Sequence, residues 1–388
     1  CGNQIKTSSQ FIFFAKKTEQ IHNEQFIITL TKQDILLINP NTKNCPIFRS
    51  KTDAEITKKI YHNIPVLINE TEGTDYWGTD FLRMFDMTND SGNFYKFEDI
   101  VDNKENILPL YEAKMFHLFN HRFADVGAPR TGAFIRGASD HLDNTDLINP
   151  KRFIFPRYYV DESEVKRKLR DKTWNKKWFI SFRDITGNVA NVRTSVFSII
   201  PYSGVGNTAP LMLFSKHIDK STALICCLSS FVFDYTAKMS VGGTHMNFFI
   251  LKQLPVISPD QYSKTDINFI HPRAIELIYN AYDLKQFAQD CSYDGPPFIW
   301  DEERRFLIRC ELDALYFKLY GLNREEVDYV MDTFPIVKRK DIDKHGEYRT
   351  KRIILEIFDE MLECEKQGKQ YQTRLDPPPA DPRVAHKE

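Results

Sequence analysis

The sequence contains no apolar run near the roughly 18 residues that a membrane-spanning helix needs. Its N-terminus also lacks the basic, apolar and small-residue order of a secretion signal. We therefore expect a soluble, cytoplasmic protein without a membrane partner. Because the chain begins with Cys1 rather than methionine, we also expect it to be part of a longer polypeptide.

Cysteine is scarce and charge is balanced. The seven cysteines form no CxxC pair and no Cys/His ligand spacing, and their number is odd, which predicts reduced thiols and no zinc site. The 52 Lys and Arg residues against 53 Asp and Glu residues give a net charge of −1. The chain as a whole has no excess of basic residues that would indicate a nucleic-acid partner. Any surface that binds nucleic acid must therefore be a local one.

Familiar enzyme motifs are missing as well. The sequence has no GxxxxGK[ST] phosphate loop, no GxGxxG, no GxSxG and no HExxH. The string Gly204-Val-Gly206 follows a predicted strand, but it is only a GxG and we interpret it as a flexible loop. We therefore expect no catalytic residue and no cofactor site within this chain.

The 388 residues correspond to two or three domains of an α+β protein. Aromatic and β-branched runs predict strands, while apolar residues three and four apart predict helices. Strands are predicted at 11–14, 26–29, 178–182 and 192–200, and helices after a cap at Asp53 and at 111–123, 222–239, 271–288, 301–320, 323–333 and 349–366. The regions are a mixed α/β N-terminal segment (1–107), a region with an antiparallel sheet (108–265), a helical region (266–375) and a Pro-rich flexible tail (376–388).

Two groups of residues are candidates for a metal ion. His117 and His121 lie four apart on the predicted 111–123 helix, without a third ligand nearby. The string Glu112-Ala-Lys114 matches the second half of the PD-(D/E)xK nuclease pattern, for which Asp99 or Asp102 could supply the first carboxylate. A Mg²⁺-dependent nuclease is therefore one alternative, although so short a match is common by chance.

Positive charge is concentrated between residues 151 and 193. This stretch has twelve basic and five acidic residues, and its cations are interleaved with aromatic residues. Cations of this kind position nucleic acids through phosphates, irrespective of sequence. The candidate phosphate-binding residues are Lys166, Arg167, Lys168, Arg170, Lys176 and Lys177. The alternative interpretation is an ordinary solvated face with the aromatic residues in the core.

Loops that follow predicted strands carry residue types that read base edges. Arginine forks read guanine, and asparagine forks read adenine, in the major groove. The candidates are Arg183, Arg193, Asn207 and His245. Their alternative roles are structural, because Arg183 could pair with Asp184 and Arg193 could anchor the Gly-containing loop.

Several strings, taken together and in order, resemble the C-terminal half of large restriction-modification DNA methyltransferases. The similarity runs over about residues 35–360 and includes Cys45-Pro-Ile-Phe-Arg49, Phe85-Asp-Met-Thr-Asn-Asp90, Arg183-Asp-Ile-Thr186, Gly204-Val-Gly-Asn207 and Gly242-Gly-Thr-His-Met-Asn247. The relatives it resembles are adenine-N6 methylases of the type IIG kind and methylases of phage-defence systems.

The resemblance implies that this chain is the target-recognition part of such an enzyme and binds double-stranded DNA. It also implies an N-terminal methyltransferase domain in the same polypeptide, which would bind S-adenosylmethionine, and associated restriction or defence subunits. The chain departs from the family by lacking both catalytic motifs; Asp376-Pro-Pro-Pro379 has proline where the methylase motif has an aromatic residue. A further alternative is a scaffold whose helices after residue 266 dock a partner subunit.

Overall fold

The computed structural model describes residues 8–387 except 16, 25, 101–105, 128–138, 187–191 and 242, and it has the predicted α+β class. The α-helices are α1 (Lys32–Ile38), α2 (Lys51–Asn63), α3 (Asn144–Ile148), α4 (Glu162–Leu169), α5 (Ser221–Ser229), α6 (Phe231–Ser240), α7 (Phe248–Lys252), α8 (Lys264–Ile278), α9 (Lys285–Asp290), α10 (Glu302–Leu319), α11 (Arg324–Asp332), α12 (Pro335–His345) and α13 (Arg349–Lys366). The strands are β1 (Ser8–Phe11), β2 (Ile28–Thr31), β3 (Ile68–Asn69), β4 (Thr74–Asp75), β5 (Thr79–Leu82), β6 (Ile107–Tyr111), β7 (Ala124–Asp125), β8 (Asp140–His141), β9 (Tyr159–Asp161), β10 (Trp178–Phe182), β11 (Phe197–Pro201), β12 (Gly204–Val205) and β13 (Leu211–Phe214).

A four-stranded antiparallel sheet, ordered β11-β10-β13-β5, lies at the centre. Ile180 of β10 pairs with Ile199 of β11 on one side and with Met212 of β13 on the other. Every residue of these three strands is buried, so apolar side chains fill both faces of the sheet. The edge strand β5 comes from the predicted N-terminal segment, which thereby completes the sheet of the next region.

Helices pack around α10 in the last third of the chain. Residues 310–317 of α10 are all buried, and α10 contacts α6, α8 and α13. A helix with apolar residues on more than one face is typically buried on two sides in this way. Among the described residues, no helix is long and apolar enough to cross a membrane.

Several predicted elements are confirmed. Strand β10 and helix α13 have the predicted bounds, and α10 and α11 match to within a residue at each end. The predicted 222–239 helix is two helices, because Ser230 has extended backbone angles and caps α6 through the Phe233 N–H. The predicted 271–288 helix is wrong at both ends, because α8 begins seven residues earlier, at a cap by Ser263, and ends at Ile278, before the separate helix α9.

Other predicted elements are wrong or displaced. Helix α2 is capped by Ser50 rather than Asp53, whose buried carboxylate accepts a hydrogen bond from Tyr235 Oη at 2.8 Å. Residues 34–38, for which the sequence predicted no helix, form most of α1. The strand predicted at 11–14 lies earlier, at β1, and the one at 26–29 lies later, at β2.

The predicted 111–123 helix is absent. Tyr111 ends β6, a 3-10 turn covers Ala113–Met115, and His117 and Asn120 close a tight turn through mutual backbone hydrogen bonds. Phe119 in this turn has a left-handed φ of 55°. The side chains of Met115, Phe116 and Phe119 are all buried. Their spacing is typical of a helix, but here the apolar residues are buried on several sides of an irregular segment.

The tail predicted to be flexible packs against the helical region. Arg304 donates hydrogen bonds to the Pro377 and Pro378 carbonyls, and the Ile299 N–H donates to the Val384 carbonyl at 2.8 Å. Leu375 and Ala385 are buried. Proline prevents this segment from forming a helix, but these contacts with other parts of the chain hold it in place.

A fully buried arginine joins three parts of the chain. Arg122 donates through Nη1 to the Asn149 and Arg152 carbonyls, and through Nη2 to the Leu147 and Asn280 carbonyls, at 2.8–3.0 Å. Burial lowers its pKa to about 10, which still leaves it charged at neutral pH. Only a planar guanidinium supplies so many donors in one plane.

We expect Arg122→Met to lower the free energy of unfolding by at least about 3 kcal/mol, because it leaves buried carbonyl groups without donors. Urea unfolding followed by circular dichroism measures the change. Arg339→Met, at an exposed position on α12, is the matched control and should stay within about 0.5 kcal/mol of wild type. A decrease below about 1 kcal/mol for Arg122→Met would show that the network contributes little.

Candidate nucleic-acid interface and a neighbouring cavity

Each of the six basic side chains predicted to bind phosphates has an acidic neighbour. Helix α4 carries three of them, and acidic residues from its own first turn and from distant loops approach the set. The pairs are Lys166–Glu162, Arg167–Glu164, Lys168–Asp90, Arg170–Asp171, Lys176–Asp290 and Lys177–Glu162, with N–O distances of 2.6–3.7 Å. Acidic residues outside 151–193 thus offset part of the local positive surplus.

These pairs differ in their exposure. The side chains of Lys166, Arg167 and Arg170 are 52–75% exposed. Exposed pairs stabilise a fold by no more than about 1 kcal/mol, so a phosphate group can compete for such cations. Lys168 and Lys176 are about a quarter exposed and hold distant segments together. Lys166, Arg167 and Arg170 therefore remain candidates, as does Lys177, whose side chain is 56% exposed, whereas Lys168 and Lys176 have structural contacts.

Arg193 is not placed to read base edges in the DNA major groove, which corrects the sequence-based assignment. Its guanidinium is buried, forms an ion pair with the fully buried Asp234, and donates to the Ser229 carbonyl at 2.7 Å. It also lies 4.1 Å from the centre of the Phe231 ring. The same Asp234 carboxylate accepts the Thr194 N–H at 2.9 Å, so the pair anchors this segment to α6.

Arg183 also has an intramolecular role. Its guanidinium donates to the Phe116 carbonyl and lies 5.5 Å from the Phe123 ring centre. Burial lowers its pKa to about 10. Asp184 pairs instead with Arg83 at 3.3 Å, so the alternative Arg183–Asp184 pair is absent. Arg183 thus fixes the end of β10 to the 117–120 turn.

Asn207 is likewise engaged within the protein. Its Nδ2 donates to Asp86 Oδ2 at 3.1 Å, which joins the Gly-containing loop to the 86–93 loop. Backbone N–H groups of Asn89 and Thr88, together with this amide, hold the pKa of Asp86 below its ordinary value. Asn207 Oδ1 is buried without a hydrogen-bond partner among the described residues.

His245 is the predicted loop residue that stays accessible. Its side chain is 49% exposed, and Nδ1 lies 3.2 Å from Asp184 Oδ2. Backbone contacts fix the loop, because the Thr186 N–H donates to the Thr244 carbonyl and the Met246 N–H to the Asp184 carbonyl. The other imidazole nitrogen, Nε2, forms no hydrogen bond among the described residues.

A surface groove of about 810 Å³ lies beside His245 and was not predicted from the sequence. The 38–49 segment and residues 238–253 supply most of its lining. Arg49 of the first segment and Asn247 of the second have no side-chain partner among the described residues. Phe14 and Phe249, 66% and 55% exposed, add apolar surface. Exposed arginine, amide and aromatic groups are the types that contact bases and phosphates.

Some residues of the nuclease alternative have other contacts or lie outside the described residues. The Glu112 carboxylate pairs with Arg157 at 3.0 Å, and Asp102 lies outside the described residues. His121 contacts Asp283 at 2.8 Å, and burial lowers the pKa of His117 to about 3. In the part of the chain that the structure describes, no three His, Cys, Asp or Glu residues are placed to hold a metal ion.

A second, smaller cavity of about 270 Å³ lies between α10, the junction of α5 and α6, and the 117–120 turn. Asp313 of α10 lines it and accepts the Phe231 N–H at 2.7 Å. Burial raises the pKa of Asp313 from 3.8 to about 6, although the charges of Arg193 and Arg309 act in the opposite direction. Asp234 adds a smaller upward effect.

This raised pKa predicts a pH dependence of stability. A carboxyl group whose pKa is higher in the folded state stabilises the fold when protonated, and this contribution disappears as the pH rises from about 4 to about 6. Asp313→Asn keeps an oxygen for the Phe231 N–H but cannot ionise. Relative to wild type, the variant should gain up to about 3 kcal/mol between about pH 4 and about pH 7.

Urea unfolding of both proteins at several pH values across this range measures the difference. Other carboxyl groups titrate equally in both proteins, so only the difference between them reports Asp313. A difference that does not change with pH would contradict a raised pKa for Asp313.

No protein-family model matches the sequence, and no curated protein matches it significantly. The resemblance to DNA methyltransferases therefore stays a prediction.

Proposed function

We propose that this chain is the sequence-specific DNA-recognition part of an adenine-N6 DNA methyltransferase of a bacterial restriction or phage-defence system. In this proposal an N-terminal domain of the same polypeptide binds S-adenosylmethionine and transfers the methyl group. No residue of this chain takes part in either step. The collinear resemblance over residues 35–360 supports the family, and the surface groove supports a DNA-reading role.

The observation that carries the recognition role is the presence of Arg49 and Asn247, from two distant segments of the chain, in the lining of one groove. Both belong to strings that carry the family resemblance, and both have side chains with no partner among the described residues. His245 lies in the same lining. A guanidinium, an amide and an imidazole at one accessible surface supply the forked and single donors that base edges require.

The proposed mechanism separates reading from chemistry. A methylase must flip its target adenine out of the duplex, and its pocket contacts only that base and its neighbours. A separate surface that holds the duplex in register selects which adenine enters the pocket. In this proposal the exposed cations of α4 contact phosphates, and the groove residues contact base edges.

The groove variants Arg49→Gln and Asn247→Ala should each weaken binding to the preferred DNA sequence by about 1–3 kcal/mol, because each removes a base contact. Selection from a randomised pool of short duplexes first identifies that sequence, and fluorescence anisotropy then measures affinity. Lys264→Gln, an exposed lysine outside the groove, is the matched control and should bind like wild type. Recovery of no motif, or unchanged affinity of both groove variants, would contradict the proposal.

The exposed cations of α4 and its C-terminal end should act without sequence preference. The triple variant Lys166→Gln, Arg167→Gln and Arg170→Gln should weaken binding to the motif and to a scrambled duplex equally. Its slope of log affinity against log salt should fall by about one for each phosphate interaction that the substitutions remove. The double variant Arg324→Gln and Arg352→Gln, at paired exposed cations of α11 and α13, is the control. An unchanged salt slope in the triple variant would place the phosphate-binding residues elsewhere.

A further inference from the structure

The lining of the 270 Å³ cavity contains a cation, Arg309, that Glu302 and Asp313 attract without forming an ion pair with it. Arg309 of α10 lines the cavity, is partly buried, and has no hydrogen bond or ion pair among the described residues. Asp313 lies one helical turn further, but its carboxylate accepts the Phe231 N–H and forms no ion pair with Arg309. Arg193, the other guanidinium of the lining, is already paired with Asp234.

A hydroxyl group of the same lining is also unsatisfied. Ser229, at the end of α5, is 3% exposed, and its Oγ has no hydrogen-bond partner among the described residues. A buried polar atom without a partner costs about 1–3 kcal/mol, so such atoms in a native structure indicate a missing partner. The unsatisfied guanidinium and hydroxyl lie on two different helices that face one cavity.

From this arrangement we propose that the cavity binds a small phosphate-bearing molecule, with Arg309 and Ser229 as its principal donors. A tetrahedral oxyanion offers oxygens in several directions and can be reached from α5 and α10 together. The volume lies just below the range of typical ligand pockets, about 300–1,000 Å³, so the ligand is a free phosphate or a small phosphate ester.

The charges around the cavity set the expected affinity. Arg309 is the cation left for the ligand, while the Asp313 carboxylate in the same lining repels an anion. His117 is partly buried and its pKa is lowered to about 3, so it stays neutral and can donate at most one hydrogen bond. Removing the negative charge of Asp313 should therefore strengthen binding, and removing Arg309 should weaken it.

The experiment is titration calorimetry of the folded chain with inorganic phosphate at slightly alkaline pH and constant ionic strength. Arg309→Gln should bind phosphate at least about tenfold more weakly, because a charge-assisted hydrogen bond is removed. Ser229→Ala should bind severalfold more weakly, and Asp313→Asn severalfold more tightly. Arg339→Gln, an exposed arginine outside the cavity, is the matched control.

Thermal unfolding without phosphate establishes that each variant is folded. Tighter binding by Asp313→Asn together with weaker binding by Arg309→Gln would support the site, since a packing defect alone cannot act in both directions. Phosphate binding that is absent from wild type, or equal in wild type and Arg309→Gln, would overturn it. A duplex affinity reduced in Arg309→Gln without any binding of free phosphate would also overturn it and assign Arg309 to the DNA backbone.

Discussion

The buried guanidinium of Arg122 fixes the segment on which both candidate sites depend. Its hydrogen bonds to the 147–152 segment and to Asn280 determine the path of the chain around residue 122. Phe116 directly precedes the 117–120 turn, and its carbonyl accepts a hydrogen bond from Arg183. Arg183 precedes the segment that pairs with residues 244–246. His245 belongs to these residues and lines the groove. A substitution at Arg122 therefore acts on the groove indirectly, through two further interactions.

The cations of this chain fall into groups that the composition does not distinguish. Lys168 and Lys176 hold loops together, Arg122 and Arg193 are buried structural groups, and the outer residues of α4 pair weakly at the surface. A local surplus of positive charge in the sequence therefore overstates the surface available to phosphates. Carboxylates from residues 90 and 290 approach this region only in the folded chain.

The sequence correctly predicted those elements whose residue pattern is compatible with only one type of secondary structure. A β-branched and aromatic run predicted β10, and the long amphipathic period predicted α13. The prediction for 111–123 failed because the apolar residues of this segment are buried on several sides rather than along one helix face. At the site, the partner of Arg193 lies 41 residues away, and nothing local marks Arg49 as unpaired. The string that contains Arg49 was the available signal, since it carries the family resemblance.

Arg49 and Arg309 both lack an ion pair among the described residues, but the effect of this on the stability of the fold differs between them. Arg49 is exposed, so water solvates its charge and the absence of a partner leaves the guanidinium available without destabilising the fold. Arg309 is partly buried beside the cavity, and burial lowers its pKa, although the charges of Glu302 and Asp313 act in the opposite direction. The cost of this burial is tolerated only where another interaction offsets it. An anion in the cavity would supply that interaction for Arg309, whereas Arg49 needs none until a partner arrives.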